Sequence, residues 1–221
     1  MIRAASLTEV PLCAIAIQLA ERAHRPSGIG LYDYIYPAPM TLPVLEEWAR
    51  TPQTLFYYGN FLLSLDDAGV CPVAACTACM YGQAGFDHWD EVESTILAKV
   101  GFHDPVERAD LEQRWKVVLR ALFTESVPQD PHKVLILEFV ALLDRTYART
   151  GRMQKLIAAQ LARGKQMGCT RCRLTVLEDN APAIALYEKC GFREVDRHMD
   201  TEGFAEALTS RGYILMERDI E

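Results

Sequence analysis

Two kinds of hydrophobic pattern alternate along the chain. In the first, apolar residues recur every three or four positions, which predicts amphipathic helices; this spacing covers residues 6–25, 41–52, 150–168 and 180–191. In the second, short apolar runs lie between turn residues, which is typical of strands; these runs cover residues 1–6, 55–65, 70–82, 133–143, 172–178, 192–199 and 212–220.

Two regions depart from this alternation. Residues 26–40 are rich in Gly, Pro and Tyr and are predicted to form a loop, whereas residues 86–126 are charged, helical in spacing and broken at Asp104-Pro105. Strand, helix, strand, helix and strand follow one another over residues 133–199. This order implies α/β or α+β layering with at least one parallel pair of strands.

Composition favours one globular domain over residues 1–221, because half of the residues are hydrophobic and no repeat or linker interrupts them. No apolar run approaches the length of about 18 residues that spans a bilayer. The longest, LCAIAIQLA, is bracketed by Glu9 and Glu21 and is predicted to be a buried helix. The net charge of -7 argues against nucleic acid as a partner and is compatible with cationic amines.

The cysteines predict reduced thiols and a cytoplasmic protein, because seven is an odd number and no secretory signal is visible. Two Cys-x-x-Cys pairs, Cys76 with Cys79 and Cys169 with Cys172, could suggest zinc. Both pairs fall on or beside predicted strands, where residues three apart point to opposite faces. We therefore expect buried free thiols and no metal.

The stretch EDNAPAIALYEKCGF, residues 178–192, predicts a helix with a defined start and end. Asn180 can cap the first turn, and Gly191 can supply a left-handed stop. Asn180, Ala183 and Tyr187 lie on one helical face. Capping alone explains Asn180 and Gly191, and a half-buried packing role would suffice for Tyr187.

The same residues carry a resemblance to a known family. LTVLEDNAPAIALYEKCGFREV resembles the C-terminal signature of the GNAT superfamily of acyl-CoA-dependent N-acyltransferases, a strand followed by N-x-x-A-x-x-L-Y-E-K-x-G-F. The matching residues are Asn180, Ala183, Leu186, Tyr187, Glu188, Lys189, Gly191 and Phe192. The resemblance implies a mixed, strongly twisted sheet of six to seven strands, with residues 86–126 as a helical insertion.

It also implies how the cofactor is held. The two central parallel strands, KVLILEFVALL and CRLTVLE here, are expected to splay apart and admit the pantetheine arm of CoA. We expect the backbone amides of Ala141, Leu142 and Leu143 to bind that arm and Asn180 to contact it. The family's tyrosine at the position of Tyr187 lies near the thioester sulfur, which makes Tyr187 the expected general acid.

The pyrophosphate loop of the family, Gln/Arg-x-x-Gly-x-Gly/Ala, is only partly present. Alignment places Ala148, Gly151 and Met153 at its three defining positions, so Gly151 alone is kept. Backbone amides over Arg149, Thr150, Gly151, Arg152, Met153 and Gln154 are expected to hold the diphosphate, with basic side chains adding charge. The alternative is that the Met153 side chain crowds the diphosphate.

Amine attack needs a base, and Glu138 on the buried strand is the candidate that the resemblance suggests. Counted back from Leu143, Glu138 lies one residue out of the expected phase unless a bulge shifts it. A structural carboxylate bonded to backbone or arginine is an equal alternative. Tyr32, Tyr34 and Tyr36 are expected near the acceptor. The aromatic residues of the insertion, Phe86, Trp89, Phe102 and Trp115, are expected to form a lid or a small core of their own.

We therefore expect an N-acyltransferase that moves an acetyl group from acetyl-CoA to a primary amine of a small molecule by direct attack. One alternative is a non-catalytic acyl-CoA-binding or regulatory domain with a decayed phosphate loop. Another is an acetyltransferase that acts on a protein lysine or N-terminus. We expect no membrane or nucleic-acid partner, and the oligomeric state stays open, with a homodimer as one option.

Overall fold

The structure is a computed structural model that describes residues 1–23, 25, 30–122, 128–199 and 210–221, without the side chains of residues 86 and 116–122. Its centre is a sheet of seven strands in the order β1-β2-β3-β4-β5-β7-β6. The strands are β1 (Ile2–Ala4), β2 (Phe61–Leu65), β3 (Pro72–Met80), β4 (Val134–Leu142), β5 (Arg171–Leu177), β6 (Arg193–Met199) and β7 (Gly212–Asp219).

Helices cover both faces of this sheet. Five are packed into one hydrophobic cluster on what we call the first face: α1 (Val10–Glu21), α2 (Leu31–Ile35), α3 (Thr41–Arg50), α4 (Trp89–Lys99) and α5 (Pro105–Leu122). On the second face lie α6 (Arg152–Gln166) and α7 (Ala181–Lys189), which share the other cluster. Adjacent β3 residues alternate between the clusters, Ala74 in one and Ala75 in the other, as the pleat of a strand requires.

The strands β4 and β5 are parallel and separate along their length. They pair only from Val134 to Ile136 with Arg171 to Arg173, whereas β4 continues to pair with β3 as far as Leu142. On its other side β5 is paired with β7 along its full length. A gap therefore opens between β4 and β5 after Ile136, and the predicted splay of the two central strands is confirmed.

A β-bulge follows Glu138 in β4 and shifts the phase of the residues after it. Thr77 pairs with Glu138 and Ala75 with Ala141, so β4 has one residue more than β3 between these pairs. Phe139, with φ 49°, takes up the extra residue in a left-handed conformation. Since Ile136 packs on the first face and side chains alternate along a strand, Glu138 also faces the first side.

A buried glutamine ties α6 to the sheet. The fully buried Gln160 side chain donates hydrogen bonds to the Cys76 carbonyl of β3 at 2.8 Å and to the Asn60 carbonyl before β2 at 2.9 Å. The approach of α6 is close: a Cβ at Gly164 would lie 2.7 Å from Leu135 Cδ2.

The structure corrects two expectations about loops and the insertion. Residues 26–40 are not all loop, because α2 forms within them; residues 26–29 lie outside the described residues. The insertion forms α4 and α5 with the predicted break before Pro105, and its residues 123–127 also lie outside the described ones. It packs into the main core instead of a separate one: the Trp89 and Trp48 rings are 4.5 Å apart.

The remaining sequence expectations concern thiols and membranes. Cys76 and Cys79 are buried in different clusters, on opposite faces as the strand period predicts, and all seven cysteines are unbridged. Within the described residues, no helix is both long and apolar enough to cross a bilayer.

Candidate active site

A cavity of about 210 Å³ passes through the sheet at the gap between β4 and β5. From the second face, Asn180, Ala183 and Tyr187 of the α7 region line it. From the first face the main lining residues are Glu21, Leu31, Tyr32, Leu55, Trp115, Glu138 and Phe139. The cavity therefore connects the two faces of the sheet, so that one reactant could enter from each face.

Tyr187 is the titratable side chain on the second-face side. The residue is 8% exposed, and its ring lies against Phe192, with 6.0 Å between ring centroids. Burial, followed by the nearby Cys76 and Glu138, raises the pKa of the Tyr187 phenol well above its ordinary value. The phenol consequently keeps its proton at neutral pH and is a hydrogen-bond donor towards the cavity.

The start of α7 fixes the orientation of this tyrosine. The Asn180 side chain accepts a hydrogen bond from the Ala183 amide at 3.3 Å, and Gly191, with φ 84°, ends the helix. Asn180 thus has the capping role that its position predicts, while it also lines the cavity. Both observations place Asn180, Ala183 and Tyr187 on the cavity side of one helix.

The β4 amides expected to meet pantetheine are not equivalent, and this corrects the sequence expectation. The Leu143 amide donates to the Val73 carbonyl at 2.9 Å and is occupied by the sheet. Because hydrogen-bonded pairs alternate in an antiparallel ladder, Ala141, opposite Ala75, is bonded to β3 in the same way. Leu142 lies in the intervening non-bonded pair, so its amide points away from β3 into the gap.

The loop before α6 presents a run of free backbone donors. Within the described residues, the amides from Thr150 to Gln154 donate no hydrogen bond, and the first helical bond runs from the Lys155 amide to the Gly151 carbonyl at 3.1 Å. Arg149 and Gly151 have φ values of 62° and 77°. Alternating left-handed residues before a helix form the concave arrangement of amides that binds anions.

Two side chains of this loop do not take the positions that the sequence suggested. The Arg152 guanidinium donates to the Leu65 carbonyl at 2.5 Å and is paired with Asp67, so a carboxylate of the protein itself offsets its charge. Met153 is half-buried and packs against the second-face cluster instead of extending from the loop. The Met153 side chain is therefore accounted for by core packing.

On the first-face side, two carboxylates reach the cavity. Glu138 does so from the same side of β4 as Ile136. Glu21, at the end of α1, lines the same cavity, and burial raises the pKa of its carboxyl to about 7. Glu21 was not among the site residues predicted from the sequence. A signal was present, because Cys13 and Ile17 are buried and Glu21 continues their stripe at the same four-residue spacing.

Hydrogen bonds hold the aromatic wall of the first-face side in place. Glu93 of α4 accepts from the Tyr36 hydroxyl at 2.7 Å and from the Trp115 indole. Tyr36 is fully buried, whereas Tyr32 and Trp115 line the cavity, with 6.3 Å between their rings. Of the three predicted tyrosines, Tyr32 alone contributes to the cavity lining, and the insertion contributes Trp115.

Two ion pairs fix the elements around these groups. Arg22, next to Glu21, donates to Asp33 of α2 at 2.7 Å and so ties the end of α1 to α2. Arg173 of β5 lines the cavity and bonds to Glu217 of β7 at 2.7 Å and 2.9 Å. The wall of the cavity is thus braced on both sides of the gap.

This arrangement is suited to proton transfer between two reactants. It has a protonated phenol on one side of a cavity and carboxylates on the other, and the loop before α6 adds free backbone amides. No group of three or more histidine, cysteine or acidic side chains that could hold a metal occurs among the described residues. His88 and His103 are exposed, away from the cavity lining.

Comparison with known proteins identifies the family. The profile of the acetyltransferase (GNAT) family matches residues 39–192. The chain is similar to a structure described as an acetyltransferase, with 18% identity, a TM-score of 0.65 and full coverage of both chains. It is similar to the ribosomal-protein-S18-alanine N-acetyltransferase of Escherichia coli, with 17% identity, a TM-score of 0.51 and coverage of 100% of this chain and 94% of that one.

A third similar structure is yncA from Salmonella typhimurium, solved with its cofactor acetyl-CoA; it has 12% identity, a TM-score of 0.56 and coverage of 100% of this chain and 94% of that one. No curated protein matches the chain. Similarity at these identities shows a shared fold. Because the family profile covers more than half of the chain and ends just beyond the helix that carries Tyr187, the protein belongs to the GNAT family of N-acetyltransferases.

Proposed function

We propose that the protein transfers the acetyl group of acetyl-CoA to a primary amine of a small molecule by direct attack. The observation that carries this proposal is the cavity through the gap between β4 and β5, with Tyr187 on one side and Glu138 and Glu21 on the other. Two reactants that enter from opposite faces of the sheet would meet there without a covalent enzyme intermediate.

The cofactor would lie on the second-face side. The Leu142 amide, which points into the gap, would bind the pantetheine arm, and Asn180, which lines the cavity, would contact it. The free amides from Thr150 to Gln154 would hold the diphosphate through backbone hydrogen bonds. Such a site depends on backbone geometry, so it tolerates Ala148 and Met153 where the family pattern has other residues.

The reaction requires the amine to lose a proton and the departing thiolate to be stabilised. An alkylamine of pKa about 10.4 is neutral to about one part in 2,500 at pH 7, so a base must assist its attack. Carboxylates on the first-face side would fulfil that role, with Glu138 the candidate from sequence. The protonated Tyr187 phenol would donate a hydrogen bond to the thiolate, whose thiol has a pKa near 8.5 if it resembles cysteine.

The acceptor side favours a small amine with an apolar body. Its walls are largely apolar and aromatic, with Leu31, Tyr32, Leu55, Trp115 and Phe139 around the carboxylates. The insertion adds Trp115 to this wall and so narrows the side from which the acceptor approaches. An ammonium group beside a carboxylate, with apolar carbons against aromatic rings, fits that lining.

The test is acetyl-CoA-dependent release of CoA with a panel of primary amines. We expect turnover by the wild type and a kcat about 100-fold lower in Tyr187→Phe, the lower end of the range for loss of a general acid. Tyr57→Phe, which removes a hydroxyl outside the cavity lining, is the matched control and should keep the wild-type kcat.

Other results would identify the alternatives. Acetyl-CoA binding without CoA release from any amine or peptide would indicate a non-catalytic acyl-CoA-binding domain. Turnover with a lysine-bearing or N-terminal peptide, and none with small amines, would indicate a protein acetyltransferase.

A further inference from the structure

Glu21 is an acidic residue in a position where helices bury apolar ones. It ends α1 on the stripe that includes the fully buried Cys13 and Ile17, and its side chain faces the cavity. Among the described residues, no hydrogen-bond donor or cation bonds to the Glu21 carboxylate. A half-buried carboxylate without a bonded partner lowers the stability of the fold, and a cationic ligand would supply that partner.

The surroundings of Glu21 are shared with the proposed reaction centre. The titratable or charged groups that line the cavity with it are Tyr32 of α2, Tyr81 after β3, Glu138 of β4, Arg173 of β5, Tyr187 of α7 and Tyr213 of β7. Among the described residues, α3 adds none. Glu21 and Glu138 both contribute to the raised pKa values of Tyr32 and Tyr187, after the larger effect of burial, so these four groups form one electrostatic cluster.

The charge balance of this cluster suits a cation. The described lining contains the two carboxyl groups and one guanidinium, that of Arg173, which is bonded to Glu217. The side chain of Arg22 is bonded to Asp33 outside the lining. An ammonium ion that enters from the first face would therefore meet the Glu21 carboxylate, to which no cation among the described residues is bonded.

We propose that Glu21 is the carboxylate that binds the ammonium group of the acceptor and accepts its proton. This assignment rests on the proposed function and names the base within it. Glu21 takes one proton from the ammonium ion, the amine lone pair forms the N–C bond, and the C–S bond breaks with its electron pair on sulfur. Tyr187 donates its phenol proton to the thiolate. The nitrogen loses its second proton as the amide forms, and that proton replaces the one that Tyr187 has given up.

Two observations favour Glu21 over Glu138. Glu138 already takes part in another interaction, whereas Glu21 has no bonded partner in the described part of the chain. In addition, burial raises the pKa of Glu21 to about 7, so its carboxylate is a stronger base than an ordinary glutamate and is still ionised in a large share of molecules at neutral pH.

The experiment is the pH dependence of kcat/KM for an alkylamine in CoA release. For the wild type we expect a rise through a pKa near 7. In Glu21→Gln that rise should disappear and kcat/KM at neutral pH should fall about 100-fold. With an aniline, which is neutral at pH 7, the loss should be far smaller, because no ammonium proton has to be removed. Glu21→Asp should restore part of the activity and the pH-dependent rise.

Glu138→Gln is the comparison variant, and acetyl-CoA affinity by calorimetry is the control for folding. We expect Glu138→Gln to keep the rise near pH 7, and Glu21→Gln to bind acetyl-CoA as the wild type does. The assignment would be overturned if Glu21→Gln kept the wild-type pH profile or if Glu138→Gln alone lost the rise. Absence of turnover in the wild type would instead reject the proposed function itself.

Discussion

The two faces of the sheet build their proposed binding sites in different ways. On the second face the groups are close together in sequence and are largely backbone or capping groups, such as the loop amides before α6 and Asn180 at the start of α7. On the first face they are side chains from distant positions, Glu21, Trp115 and Glu138. Backbone sites tolerate sequence change, whereas a side-chain site changes with every substitution.

This difference explains how one fold can keep a cofactor and vary its acceptor. The gap between β4 and β5 follows from strand pairing that ends at Ile136, and many sequences satisfy that requirement. The acceptor wall depends instead on particular contacts, such as Glu93 with Trp115 and Arg22 with Asp33. We expect variants of the second face to alter stability or cofactor binding, and variants of the first face to alter amine kinetics and pH dependence.

The larger expected effect concerns Met153. Because the side chain packs against the second-face cluster, Met153→Gly should lower the free energy of unfolding by about 2 kcal/mol, from lost apolar burial and glycine in a helix. Acetyl-CoA affinity should not improve. Chemical denaturation and titration calorimetry measure the two quantities, and Met153→Leu is the matched control with near wild-type stability. Tighter acetyl-CoA binding in Met153→Gly would show that the methionine obstructs the loop.

The smaller expected effect is on the first face and depends on pH. Burial raises the pKa of Glu21 from 4.5 in the unfolded chain to about 7, so its contribution to stability is complete below pH 4.5 and is lost as the pH rises through 7. Relative to Glu21→Gln, the wild type should lose about 1 to 2 kcal/mol of unfolding free energy over that pH range. This loss is smaller than the full pKa shift implies, because the Glu21 side chain is only half-buried and solvent screens its charge.

Urea denaturation at several pH values measures this difference. Glu188→Gln, which changes an exposed glutamate of α7, is the control and should follow the wild type. Parallel stability curves for wild type and Glu21→Gln would mean that the Glu21 carboxyl is hydrated like any surface acid, and would remove one support for its role as a base.

Local signals in the sequence predict the second face well. The cap at Asn180, the stop at Gly191 and the glycine at residue 151 are each defined by neighbours in the chain, and the corresponding elements are present. The basic loop was harder to interpret, because the anion that offsets Arg152 is Asp67, from a turn far away in sequence. Which β4 amide faces the gap depended on register with β3, which sequence does not specify.

The first-face residues were harder to predict from the sequence, because their positions also depend on contacts between segments that are far apart in the chain. Glu138 and Ala141, three residues apart, both face the first side because Phe139 adopts a left-handed conformation in a bulge, and nothing in the strand pattern requires that bulge. The role of Trp115 depends on how the insertion folds back on the core. Glu21 is the exception, because its place on the stripe of Cys13 and Ile17 was visible in the helical period.

Acetyl-CoA is expected to occupy the gap between β4 and β5 against α7. Titration calorimetry of acetyl-CoA with the wild type, Ala183→Trp and Ala185→Trp tests it directly, since Ala183 lines the cavity and Ala185 is exposed on the same helix. We predict that the wild type and Ala185→Trp bind, and that Ala183→Trp binds at least about 100-fold more weakly, a loss of about 2.7 kcal/mol. Equal binding by Ala183→Trp and the wild type would show that acetyl-CoA does not lie against this face of α7.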